Sequence, residues 1–133
     1  MKVTNRDIFE GRNAIQELLR IKLPVRTSLH VAKLSRKFNE VLKDIDVVRR
    51  NLIDTYGTKS ERGGKEIKAD NENFPKFMQE FDELLELEVD ITATKVKLPE
   101  MISATCDACH HNMDRPLEIE PWILASLDKF VEV

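Results

Sequence analysis

The chain has 133 residues, of which 41% are hydrophobic and 34% charged. That length favours one domain with a modest core and a heavily solvated surface. Four glycines and five prolines are too few for an all-β design with many tight turns, and no apolar run approaches the roughly 18 residues that mark a membrane-spanning helix.

The net charge of −3 conceals an asymmetry. Residues 1–56 hold 12 Lys and Arg against 7 Asp and Glu, a balance of +5; residues 57–133 hold 9 against 17, a balance of −8. Either the two halves fold against each other with complementary fields, or the surface is polarised towards a charged partner. The opening residues Met1 to Asp7 lead into an amphipathic pattern, not the continuous apolar core of an export signal. A cytoplasmic location follows as the expectation, with both cysteines reduced.

The first predicted helix runs from Thr4 to about Leu19. Thr4 is a suitable N-cap, and Asp7 suits the positive end of the helix dipole. Ile8, Ile15, Leu18 and Leu19 share one side. Gly11 weakens the interior by roughly 1 kcal/mol relative to alanine, so the helix either frays early or is approached closely there. The short link Arg20 to Leu23 returns the chain antiparallel to a second helix.

That second helix, between Pro24 and Gly57, organises the chain. Val31, Leu34, Phe38, Val41, Ile45, Val48 and Leu52 recur at spacings of 3, 4, 3, 4, 3 and 4, a heptad seam that buries a narrow stripe against other helices. Pro24 suits its start, and Gly57, free to take φ > 0, suits its end. Beside the seam, Arg26, His30, Lys33 and Lys37 follow spacings of 4, 3 and 4, with Arg36 adjacent. This basic flank is the candidate partner-binding surface. No aromatic residues are interleaved to stack on bases and the chain is acidic overall, so nucleic acid is not the expected partner.

Residues 57–73 are polar, with Gly63-Gly64 as a turn signal, and a short extended piece at Glu66-Ile67-Lys68 fits them. A third helix starts near Asn73 with Pro75 in its first turn; Phe74, Phe77, Met78, Phe81, Leu84 and Leu85 form an aromatic-rich stripe that covers the spine. Leu87, Val89 and Ile91, then Val96 and Leu98, alternate with polar residues, and the parity slips near Thr92-Ala93-Thr94. A small β-hairpin or ribbon with a turn there is predicted. Residues 103–117 read as an irregular insert. Glu120-Pro121 opens a last helix, with Ile119, Ile123, Leu127, Phe130 and Val131 on one side. The fold class is therefore mainly α: one domain over 1–133, a long central helix packed by three shorter ones, and mobile inserts near 58–72 and 103–117.

Cys106, Cys109, His110 and His111 are the only cluster with chemical potential. Two thiolates separated by two residues form one corner of a tetrahedral zinc site, and a neighbouring histidine supplies a third ligand. No second Cys-x-x-Cys completes the set, so the fourth ligand would come from His30 or a second subunit. The same residues match the covalent haem pattern, but export and a pocket are lacking, and a redox role requires a strand-to-helix setting. A reduced pair without a role is the other reading. No nucleophile elbow, P-loop or His-Glu-x-x-His is present, so catalysis is not expected.

Several segments, in order, resemble those of a known group. They are Lys2-Val3-Thr4-Asn5, Lys22 to Ser28, Arg50 to Gly57, Phe81 to Ile91, and Ile119 to Glu132. Together they resemble a family of small uncharacterised helical proteins of tailed bacteriophages and prophages. The resemblance covers most of the chain but omits the polar loop and the Cys/His insert. It implies a non-enzymatic phage-encoded protein that contacts a host or phage protein in the host cytoplasm or the virion. That protein would inhibit a host factor or defence complex, or serve in virion assembly, with homo-oligomers open to it. The alternative is a zinc-dependent binding module making weak nucleic-acid contact through Arg26, Lys33, Arg36 and Lys37. No membrane role is expected.

Overall fold

The computed structural model describes residues 1–105 and 112–133. Its order is β1 (Lys2–Thr4), α1 (Asn5–Arg20), α2 (Val25–Tyr56), β2 (Thr58–Lys59), β3 (Lys65–Glu66), α3 (Phe74–Glu86) and β4 (Glu88–Asp90). Then follow β5 (Val96–Lys97), β6 (Met101–Thr105), β7 (Asn112–Pro116), α4 (Pro121–Ser126) and β8 (Val131–Glu132). The architecture is mainly α, with α2 packed by α1, α3 and the C-terminal segment. Among the described residues, no helix is long and apolar enough to cross a membrane.

α1 starts where the capping pattern puts it. Thr4 Oγ1 accepts from the Asp7 N–H at 3.2 Å, and Asp7 Oδ2 accepts from the Thr4 N–H at 2.9 Å. This reciprocal box satisfies two backbone donors that the first turn would leave free. Ile8, Ala14, Ile15 and Leu18 are buried. Gly11 is buried too, and the reason is close packing, not fraying. A Cβ there would lie 3.1 Å from Leu127 Cδ2, 3.2 Å from Phe38 Cε2 and 3.3 Å from the Ser126 carbonyl.

α2 is 32 residues long, about 48 Å at 1.5 Å per residue. The seam is buried from Val31 through Leu34, Phe38 and Val41 to Ile45. Val48 is 38% exposed and Leu52 is only partly buried, so the cover ends before the helix does. Gly57 follows the helix as expected but has φ −80°, so the left-handed conformation is not its reason. A Cβ at Gly57 would collide with the Ile53 carbonyl and stand 2.7 Å from that of Glu66. Glycine is needed because the last turn of α2 and the returning β3 both crowd this position. β2 and β3 pair antiparallel, and Gly63 and Gly64, with φ of 84° and 70°, make the turn between them.

α3 buries Phe77, Phe81 and Leu85. Phe81 meets the Phe9 ring edge-on, with centroids 5.7 Å apart. Met78, expected in this stripe, faces outward.

The extended segments are where expected, but their pairing is different. β4 and β5 do not form a hairpin with each other. β4 pairs antiparallel with β1, bringing Val89 opposite Val3. β5 pairs parallel with β8, bringing Val96 opposite Val131. Alternation identifies extended chain, not its partner; here buried Ile91 and Val96 anchor the two strands at separate places on the core. The segment read as an irregular insert also has order at its base: β6 and β7 pair antiparallel, with Met101 opposite Pro116 and Ser103 opposite Asp114. α4 is only six residues long. Beyond it, Leu127 and Phe130 are fully buried, and the Phe130 ring meets Phe38 edge-on at 4.7 Å.

One ion pair ties the two chain ends. Lys129 Nζ donates to Asp7 Oδ1 and Oδ2 at 3.1 and 3.0 Å. Partial burial pushes the Asp7 carboxyl up, but the Thr4 N–H and the Lys129 ammonium outweigh it and hold the group below its ordinary value of 3.8. A depressed carboxyl contributes stability above its unfolded value and loses it as pH falls through the folded one. Replacing Asp7 with Ala should therefore destabilise the protein by about 1 kcal/mol at pH 7, the usual worth of a cap. In urea titrations across pH, the gap between wild type and Asp7→Ala should hold above pH 5 and close below about 4. A gap independent of pH would contradict this account of Asp7.

Candidate functional site

The first three and a half turns of α2 present two faces. One carries Val31, Leu34 and Phe38 into the core. The other carries Arg26, His30, Lys33 and Lys37, each three or four residues from the next and hence stacked along one side. Arg36 stands beside them.

A loop closes this face into a groove. Ile91 and Val96 are buried, at 4% and 0% exposure, and pin the chain on either side of 92–94. The Ala93 N–H donates back to the Ile91 carbonyl at 2.9 Å, a three-residue turn at the position where the alternation of side chains slips. The turn lays Thr92, Ala93 and Thr94 along α2. His30 Nε2 lies 3.1 Å from the Thr94 carbonyl and 3.3 Å from Thr94 Oγ1. The result is a groove of about 920 Å³.

All five residues of the predicted basic flank line it: Arg26, His30, Lys33, Arg36 and Lys37. Leu29, 52% exposed, and Ala93 give it apolar surface. Glu40 is the single acidic residue on its wall. Lys37 Nζ approaches Glu40 at 3.9 Å, a long contact between exposed groups. Among the described residues, Arg26, Lys33 and Arg36 have no carboxylate within ion-pair distance. Lys33 and Lys37 are one helical turn apart, an arrangement that destabilises a helix by a few tenths of a kcal/mol unless an anion relieves it.

The groove can bind an elongated anionic ligand with an apolar side. Its only candidate for proton transfer is His30. His30 Nε2 donates to the Thr94 carbonyl in one tautomer and accepts from the Thr94 hydroxyl in the other. Sequence reasoning missed the 92–94 wall. The period slip marked a turn there, but nothing local says which helix the turn covers.

The other predicted cluster, Cys106, Cys109, His110 and His111, lies outside the described residues. Among the described residues, no group of three or more His, Cys, Asp or Glu is arranged to hold a metal ion.

If the basic face serves binding and not folding, Lys33→Glu should leave stability unchanged or raise it by about 0.5 kcal/mol, since Glu at position 33 precedes Lys37 by four residues. Thermal or urea unfolding measures this; a loss above about 1 kcal/mol would make Lys33 structural. Comparison of the chain with protein-family models, curated proteins and solved structures gives no match.

Proposed function

We propose that the protein is a non-enzymatic interaction protein that grips an acidic, amphipathic segment of a protein partner in the α2 groove. The observation that carries this reading is the groove itself: five basic side chains and an exposed leucine on one wall, the 92–94 turn on the other. An amphipathic helix fits such a surface by placing carboxylates opposite the cations and an apolar edge against Leu29 and Ala93. The groove face from Arg26 to Glu40 is about 21 Å long, four turns of a partner helix.

A protein is favoured over nucleic acid on three grounds. No aromatic residue lines the groove, apolar surface is part of it, and the chain carries a net charge of −3. The likeness of the segments quoted above to phage proteins supports a phage setting. There the same surface serves to block a host factor or defence complex, or to hold a neighbour in virion assembly.

The test is fluorescence anisotropy with a labelled Glu- and Leu-rich helical 15-residue peptide. Wild type should bind it at low ionic strength, and binding should weaken as salt screens charges over a Debye length of about 10 Å at 0.1 M. Lys33→Glu combined with Lys37→Glu should weaken it at least tenfold. Equal binding by that variant would overturn the reading. Tighter binding of duplex DNA than of the peptide, with a steep salt dependence, would also overturn it in favour of a nucleic-acid surface.

A further inference from the structure

A second concavity, of about 720 Å³, lies along the outer face of α3. Its walls carry Met78, Gln79, Asp82, Glu83, Glu86 and Leu87, with Pro75 at its start. The positions 75, 78, 79, 82, 83 and 86 form one stripe of the helix at its natural period. This stripe is opposite in charge to the α2 groove. Three of its residues are acidic and none is basic. Arg6, from α1, reaches it from the side, with Nε 2.7 Å from Glu86 and a guanidinium nitrogen 3.6 Å from Asp82. The same guanidinium lies 3.6 Å from Glu10. Three carboxylates, those of Glu10, Asp82 and Glu86, thus surround one cation. Glu83 makes no ion pair among the described residues.

The stripe is also amphipathic in the sense the groove requires. Met78 is 37% exposed and Leu87 is 59% exposed, although both are large apolar side chains. Pro75 to Glu86 spans about 17 Å at 1.5 Å per residue, within the 21 Å of the groove face. An exposed helix face with apolar and acidic residues therefore meets, in length, charge and apolar content, the specification derived for the groove's occupant.

From this match, and resting on the groove reading above, we infer that the occupant is a second copy of this chain, with the outer face of α3 of one molecule seated in the α2 groove of the next. The two surfaces are different parts of the chain, so the contact is head-to-tail. Each molecule keeps one free groove and one free α3 face, and the contact repeats until a ring closes or a filament grows. Carboxylates of α3 relieve the repulsion along Arg26, Lys33, Arg36 and Lys37, and Met78 and Leu87 cover Leu29 and Ala93. Because its charges are exposed before association, the contact forms readily at low ionic strength and dissolves in salt.

Light scattering and sedimentation velocity on the full chain test this with two charge-reversed variants. One is the groove variant, Lys33→Glu with Lys37→Glu. The other is a face variant, Gln79→Lys with Glu83→Lys, at positions that make no ion pair among the described residues. Wild type should rise in mass with concentration at low salt and fall to 15.4 kDa in 0.5 M salt, a condition of roughly 4 Å screening length. Each variant alone should stay at 15.4 kDa. Mixed in equal amounts, they should associate again, because the intact acidic face of the groove variant meets the intact groove of the face variant. Unchanged circular dichroism of both variants verifies folding. Wild type that remains a monomer at millimolar concentration and low salt would overturn the inference, as would an equimolar mixture that does not associate. The acidic-peptide measurement separates this from the groove reading. A monomeric wild type that still binds the peptide ends self-assembly alone, and one that binds neither ends both.

Discussion

Gly11 of α1 lets Phe38 of α2 approach closely, and the C-terminal segment packs on that contact. Phe38 is fully buried at the middle of the α2 seam. It fits because α1 presents no side chain at position 11, where even a Cβ would crowd Phe38, Leu127 and the Ser126 carbonyl. The helix loses about 1 kcal/mol by having glycine there. Full burial of one phenylalanine contributes about 1.5–3 kcal/mol, so the exchange favours packing. Phe130 then stacks edge-on against Phe38, and the C-terminal segment is fixed over the α1–α2 pair.

The groove inherits its shape from this contact. With Phe130 seated, its carbonyl accepts from the Val96 N–H at 2.8 Å, and the Glu132 carbonyl accepts from Leu98 at 2.9 Å. β5 is held in place by the end of the chain. β1 holds β4 in the same way, with the Met1 carbonyl accepting from Ile91 at 2.9 Å. The short turn between these two anchored strands has little freedom, and it lies along α2 opposite the basic residues. One side of α2 thus supplies the core, and the other supplies a charged surface whose second wall is positioned by that core.

Much of the helical architecture was legible because it rests on local rules. Thr4 and Asp7 mark a helix start, the alternating 3 and 4 spacing marks a buried seam, and Pro75 marks the first turn of α3. The basic flank was legible for the same reason, since a helical period places Arg26, His30, Lys33 and Lys37 together. The partners of the short strands were not. Two or three alternating residues specify extended chain, while their pairing depends on which edges the core leaves open. Gly57 shows a similar limit. Its place at the helix end was readable, but its cause is crowding by the Ile53 carbonyl and by that of Glu66, the second a contact made by chain nine residues later. Met78 fits the apolar period of α3 and yet faces outward, because the period alone does not say where the cover of the spine stops.

The proposed binding surface joins the basic face of α2 to the 92–94 turn. The most direct measurement is backbone amide chemical-shift mapping at low salt of the Gln79→Lys, Glu83→Lys variant, whose groove is intact and whose altered α3 face prevents self-association, during titration with the Glu- and Leu-rich peptide. Shifts should concentrate at 26–40 and 92–94, with the His30 and Thr94 signals moving together at the same midpoint. Shifts centred on the α3 face or the β6–β7 ribbon, or none at saturating peptide, would contradict it.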